Sequence, residues 1–440
     1  MPAVTFEPLR WQDAPTRVTI STHNAHPRVF YQVTAPQQIA AMVIGRPVEE
    51  LPRLVAILGP AHHLAAARAL DRLFGVNPPP PAENMRQGLL QAVIFTAHLQ
   101  KIFFLLSAGS DPFAGLPRVA GAPQQASATH GLMDEIMHTL ALVQEAAVVL
   151  GGRSSHPITA IAGGVSRYLK EEQTLRLTEI AETCVPAAVR IVAAVRDTIL
   201  NTGAAQAPFD HDALGPMAYL TLAAPTAEQS QETVRLQAPN GETVDRFEVR
   251  QLLEKIDFRQ EPWTYAPFAF IKDQGWPGLQ SEQRPGLYFV GPLARLNGGQ
   301  ALGTPLADQE RERLIAGRGP FPHFDVVAAF WVLLVELLQS AENMRTLYQK
   351  ENFLGPSIRS VPVEMGREGQ AALESPQGLI YHHFRVNPDG IVEAFEVLEP
   401  VAENNALRCL VSQKTVENAL RQKQHWKEIK ARLELNLLPF

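Results

Sequence analysis

The sequence predicts a mainly α protein with small β elements inserted, built as one large domain over residues 1–440. Three observations carry this. Several long segments place apolar residues three or four positions apart, the spacing of a helix with one buried face. The ten residues Val326–Val335 are all apolar, too few for a bilayer span of roughly 20 residues and suited to a buried core helix. Between Asp210 and Asn297, and again over Leu379–Leu398, short β-prone stretches alternate with Pro, Gly and Asn turns.

Taken in order, residues 1–50 read as strands and turns, with VTIST and RVFYQV as the strand-like stretches. The part 51–205 is helical. Ala61–Gly75 follows a Gly59-Pro60 turn and stops at Gly75 and the proline run Pro78–Pro81. Ala82–Ser107 carries Met85, Leu89, Val93, Leu99, Ile102, Phe103 and Leu106 along one face. Gly131–Leu150 repeats the pattern, and Glu172–Leu200 predicts a further helix broken or kinked at Pro186. The part 206–300 is irregular and β-like, with TVRLQAP and GLYFVGPL as short strands. The part 301–440 holds the core helix Asp325–Leu347, a hairpin over Leu379–Leu398 turning at Asn387-Pro388-Asp389-Gly390, and a basic helix over Lys414–Leu433.

Composition excludes several functions. Of the 440 residues 46% are hydrophobic, and the net charge of −6 argues against a broad cationic surface for nucleic acid. No apolar leader, P-loop, G-x-G-x-x-G, G-x-S-x-G or H-E-x-x-H is present. The two cysteines, Cys184 and Cys409, are too far apart in sequence for a Cys-x-x-Cys site, and a cytoplasmic setting follows from their scarcity. The histidine pairs His62-His63 and His382-His383 cannot easily bind one metal. Adjacent side chains stand about 100° apart on a helix and on opposite faces of a strand.

Five segments, in order, resemble the large subunit of nickel–iron hydrogenases. They are GRPVEELPRL from Gly45 with AHHLAAARALDRLFGV, GGRSSHPITAIAGGVS from Gly151, YFVGPLARLN over Tyr288–Asn297, ESPQGLIYHHFRVNPDG from Glu374, and Pro400 with Asn404-Asn405. The resemblance implies that family's helical bundle, and a nickel held by four thiolates from two C-x-x-C pairs with iron bridged through two of them. The first pair belongs between Arg53 and His62, where Val55 and Leu58 are the nearest counterparts; the second belongs to a tail motif at the level of Leu438-Pro439-Phe440. The arginine of the family's E-A-P-R-G segment is replaced by Gln377. Neither the N-terminal R-I-E-G-H segment nor the family's proton-carrying glutamate has a clear counterpart.

The resemblance therefore implies a cysteine-less member similar to the HupK/HoxV type of assembly proteins. The expectation is a chain that is not an enzyme and holds no cofactor or metal, acting as a chaperone or docking scaffold in hydrogenase maturation. Its partners would be a hydrogenase small subunit or maturation proteins, with no nucleic acid and no transmembrane segment. The alternatives are a structural pseudo-subunit of an electron-transfer complex, comparable to the quinone-side subunit of respiratory complex I, and a nickel-dependent hydrogenase with an atypical site. A vestigial pocket would be lined by Val55, Leu58, His62, His63, Arg153, His156, Arg295, Glu374 and Gln377, with Val55, Ile57 and Leu58 filling it. Simpler roles stand beside these. Arg153 and His156 can serve a fixed turn, Arg295 and Glu374 a buried ion pair, Cys184 the apolar core, Gly151-Gly152 and Gly163-Gly164 tight turns, and the basic helix a solvated face or a dock for an acidic partner.

Overall fold

The computed structural model describes residues 3–7, 15–22, 27–36, 39–107, 126–200, 209–223, 232–280, 284–299, 302–355 and 357–440. The sequence divisions at 205–206 and 300–301 fall outside or at the edge of these ranges. Strands β1 (Val4–Phe6), β2 (Thr16–Ser21) and β3 (Arg28–Val33) form an antiparallel sheet. Short helices α1 (Ile39–Val43) and α2 (Leu51–Val55) lead into α3 (Pro60–Leu73), α4 (Pro80–Ser107) and α5 (Ala126–Gly151). A two-stranded ladder, β4 (Ala160–Ile161) and β5 (Gly164–Val165), precedes α6 (Glu171–Val195).

The irregular part holds β6 (Ala218–Ala223), β7 (Thr233–Gln237), β8 (Thr243–Glu248), the turn α7 (Leu252–Lys255), β9 (Ile256–Arg259), β10 (Phe268–Ile271) and β11 (Tyr288–Phe289). Sheet order is β11-β6-β7-β8, with β11 parallel to β6, while β9 and β10 pair separately. Then come α8 (Pro292–Asn297), α9 (Pro305–Arg318) and α10 (Val326–Leu347). A three-stranded sheet of β12 (Glu368–Glu374), β13 (Leu379–Val386) and β14 (Val392–Leu398) follows, then α11 (Pro400–Glu403), α12 (Asn405–Arg421) and α13 (Trp426–Leu437).

The bundle centres on α10, which packs on both α4 and α6, while α5 closes the other side against the same two helices. Every side chain from Val326 to Leu338 is buried, including Glu336. Asp325 caps this helix by accepting from the Ala328 amide at 2.9 Å. Farther along, Glu342 accepts from the Leu306 and Ala307 amides and so caps α9. Among the described residues, α4 and α10 are long and apolar enough to cross a membrane by length and composition. In α10 the apolar stretch lies almost wholly inside the fold.

The structure corrects several boundaries. Helix α6 runs through Pro186 without ending, because Cys184, Ala187, Ala188 and Ile191 keep its apolar face in the core; a π turn over Arg196–Leu200 finishes it. The single basic helix is two. It breaks at Lys423, whose φ is 57°, and α13 restarts with a reciprocal cap: the His425 amide donates to Glu428, and His425 Nδ1 accepts from the Lys427 amide. The hairpin over Leu379–Leu398 is present, but β12 joins it as a third strand, and the strand read in GLYFVGPL shrinks to two residues before α8 begins.

Candidate functional site

Helix α10 carries Glu336 into the core, and that charge needs partners. Arg295 on α8 provides the main one: Nε donates to Oε1 at 2.7 Å and Nη2 to Oε2 at 2.8 Å. The same guanidinium reaches β12, where Nη1 donates to Glu374 Oε2 at 2.8 Å and to the Ser375 carbonyl at 3.0 Å. Glu374 Oε1 accepts from the Leu222 amide. The buried Arg295–Glu374 ion pair expected from sequence is therefore present, but as one arm of a larger cluster. From α4, His98 Nε2 donates to Glu336 Oε2 at 2.7 Å. That bond fixes the tautomer and leaves Nδ1 a buried lone pair without a partner among the described residues. Burial alone would push the Glu336 carboxyl up, yet Arg295 and His98 outweigh it and hold it well below the carboxylate range. Burial keeps His98 below the usual imidazole value despite Glu336.

A second polar group lies where α3, β13 and α11 meet. His62 Nδ1 and His382 Nε2 are 3.0 Å apart, so one ring donates to the other, and His62 Nε2 lies 3.9 Å from Glu399 Oε2. Burial brings His62 down to about 4 and His382 well below the usual value, so both are neutral. His63 points elsewhere. Its Nε2 accepts from the Ala160 amide at 3.0 Å, so Nδ1 carries the proton and donates to the Pro52 carbonyl at 2.8 Å. His382 is fully buried, whereas His383 faces outward between Glu368 and Glu396, as strand alternation requires.

Asn404 and Asn405 hold this region together. Asn404 accepts from the Val290 amide and donates to the Val290 and Gln377 carbonyls, and Asn405 donates to the Ala266 and Pro267 carbonyls. The G-G-V segment has a comparable constraint. A Cβ on Gly163 would lie 2.0 Å from the Ser360 carbonyl oxygen, and one on Gly164 2.1 Å from that of Ile358. Both glycines have positive φ, and Arg86, itself paired to Asp71, donates to the Gly164 carbonyl.

The other expected pocket residues are scattered. Val55 is fully buried against Val48, Leu51, Leu70 and Phe384, and Leu58 packs beside that cluster. Ile57 is 62% exposed and is no filler, because the 3-10 turn Ala56–Leu58 aims it outward. Arg153 is exposed; His156 is half-buried and close enough to His63 to disfavour its charge. Gln377 meets the site through its backbone. Sequence reasoning does not single out His98, Tyr288, Glu336 or Glu403. The available signal is a charge inside an apolar helix pattern: Glu336 ends the apolar run, yet the helix continues past it for three more turns.

The family that the sequence resembles implies a thiolate-held nickel–iron group, and the donor set present here does not fit it. Val55 and Leu58 offer hydrocarbon. Cys184 and Cys409 are free, buried thiols on α6 and α12, and burial pushes both up to about 12, so they are protonated. Among the described residues no group of three or more His, Cys, Asp or Glu side chains is placed to hold a metal ion. The arrangement can fix charge and hold protons.

No protein-family profile matches the chain. It is similar to a subunit of the vhu F420-non-reducing hydrogenase of Methanocaldococcus jannaschii, 27% identical over 420 residues, covering 92% of this chain and 96% of that one. An iron-sulfur subunit of the F420-non-reducing hydrogenase of Archaeoglobus profundus is 26% identical over 399 residues, covering 86% of this chain and 79% of the relative. The beta subunit of the NAD-reducing hydrogenase HoxS of Cupriavidus necator is 25% identical over 387 residues, covering 82% and 77%. In fold the chain matches an NAD+-reducing NiFe hydrogenase in the H2-reduced state, with a TM-score of 0.85 at 23% identity over 100% of this chain and 97% of the other. A Ni-Fe-Se hydrogenase from D. vulgaris Hildenborough gives 0.73 at 14% identity, with both chains fully covered. These findings overturn the expectation of a non-enzymatic assembly chaperone and do not favour a structural pseudo-subunit: the relatives are named as hydrogenase subunits, not as assembly factors. The homologues of this chain are hydrogenase large-subunit-like, and its fold is that of NiFe hydrogenase large subunits.

Proposed function

We propose that this chain serves as the large-subunit component of a cytoplasmic hydrogenase, docked to a small-subunit partner. The observation that carries the reading is the extent of the likeness: relatives named as hydrogenase subunits align over most of both chains. The Arg295–Glu336–Glu374 cluster supports it, because it joins α8, α10 and β12, two of them through the segments that resemble the family. Hydrogen conversion would be an activity of the assembled complex. The residues of this chain hold charge and protons within it, and the site lacks the thiolates of the family's metal loop.

The test is purification of the tagged full-length chain from its native host, with mass spectrometry of bound subunits and hydrogen-dependent dye reduction. Stoichiometric recovery of another hydrogenase subunit together with hydrogen-dependent reduction is expected. A chain recovered without any hydrogenase subunit, from extracts active in hydrogen uptake, would refute the proposal.

A further inference from the structure

Glu403 closes α11 and is wholly buried. Among the described residues its hydrogen-bonding partner is the Tyr288 hydroxyl, which donates to Oε1 at 3.3 Å. Its other oxygen, Oε2, has no partner among them, and no Lys, Arg or His among the described residues forms an ion pair with it. The charged neighbours that act on it are carboxyl groups, Glu374 at the end of β12 and Glu399 before α11. Tyr288 on β11 stays a phenol, since burial and Glu403 both push it well above its ordinary value. Asn404, the next residue, is spent on the Val290 and Gln377 backbone.

An ionised carboxylate in this position would be uncompensated, at a cost of several kcal/mol. A carboxylic acid avoids that cost and becomes a donor. Because the Tyr288 proton already occupies Oε1, the acid proton sits on Oε2, the oxygen with no protein acceptor. A buried donor left unpaired is uncommon and calls for a function or an unseen acceptor.

We propose that Glu403 is a buried proton-transfer acid, carrying a proton on Oε2 at neutral pH and passing it to a bound water beside the Arg295 cluster. The transfer is the movement of one proton from Oε2 to a water oxygen, with the carboxylate reprotonated by the reverse step. Protonation also protects the neighbouring ion pair. While Glu403 is neutral, Glu374 faces Arg295 without a second negative charge behind it. The direction of the Glu403 shift agrees: burial, then Glu374 and Glu399, raise it well above the ordinary carboxyl value, and only Tyr288 opposes them. The inference concerns the chain itself and holds whichever partner the chain binds.

Infrared difference spectroscopy of the full-length chain tests it. At pH 7–8 the wild type should show a carboxylic-acid C=O band that is absent from Glu403→Gln and moves to lower frequency in D2O. Tyr288→Phe, which keeps Glu403, should shift that band, and this variant serves if Glu403→Gln does not fold. Identical spectra for wild type and Glu403→Gln, or for wild type and Tyr288→Phe, would overturn the proposal. A band unmoved after prolonged D2O exchange would overturn the transfer role. The spectrum is read whether or not a hydrogenase subunit co-purifies, so its failure is distinct from failure of the functional reading.

Discussion

Replacing Glu336 by glutamine tests how much the Arg295 cluster holds the bundle together. The glutamate accepts two guanidinium hydrogen bonds and one from His98, all at 2.7–2.8 Å. Glutamine keeps the shape but removes the charge, turns one acceptor into a donor facing Arg295 or His98, and leaves the guanidinium with Glu374 alone. Breaking a buried pair by removing one partner costs about 3–5 kcal/mol. The variant should therefore unfold at markedly lower denaturant or temperature. Glu336 is held below its unfolded value, so its contribution is present above the ordinary carboxylate pKa and is lost as pH falls through the depressed value. Glu336→Gln should therefore lose less stability than the wild type on acidification below pH 4.5. Paired urea unfolding curves at neutral and acid pH measure both effects. A loss under about 1 kcal/mol at pH 7, or an unchanged acid dependence, would refute the account of the cluster.

The remaining predictions concern other parts of the fold. Burial lowers His63 to about 4, with the Pro52 bond opposing, so its stability contribution is present above pH 6.5 and falls away between pH 6.5 and 4. His63→Gln should flatten that part of the stability–pH curve. Gly163→Ala should cost more than about 2 kcal/mol, since its Cβ meets a carbonyl at 2.0 Å. Gly45→Ala, at a similar φ with nothing within 4 Å of the new carbon, should cost only about 1–2 kcal/mol, so comparing melting temperatures separates clash from φ strain. Native protein should resist iodoacetamide at both thiols and take up two equivalents once denatured, as intact mass will reveal.

Much of the helical frame is legible in the sequence because the periodicity is long: α3, α4, α5 and α10 appear within a few residues of their expected limits. Short elements are not. The turn α8 and the strand β12 depend on tertiary partners, Glu336 for one and β13 for the other, and neither leaves a periodic signal in six or seven residues. The break at Lys423 is hidden because the capping pair His425 and Glu428 looks like an ordinary helix surface. The site is legible in part. Arg295 and Glu374 stand in recognisable segments, whereas His98 meets Glu336 across 238 residues of chain and Glu403 meets Tyr288 across 115, from elements whose packing alone makes them neighbours. The expectation of an assembly chaperone gives lost ligands more weight than retained scaffold. Likeness to hydrogenase subunits over most of the chain reverses that weighting.

The Arg295 cluster also has an electrical consequence. One guanidinium faces two carboxylates while His98 stays neutral, so these four side chains sum to one negative charge in a largely buried site, with the Lys101 cation near enough to act on His98. In a medium of low polarity such a charge acts over several ångströms. It makes the arrival of an electron nearby costlier and the arrival of a proton cheaper. Any redox carrier docked close to α8 would therefore have its midpoint potential displaced downward, and neutralising Glu374 would displace it back.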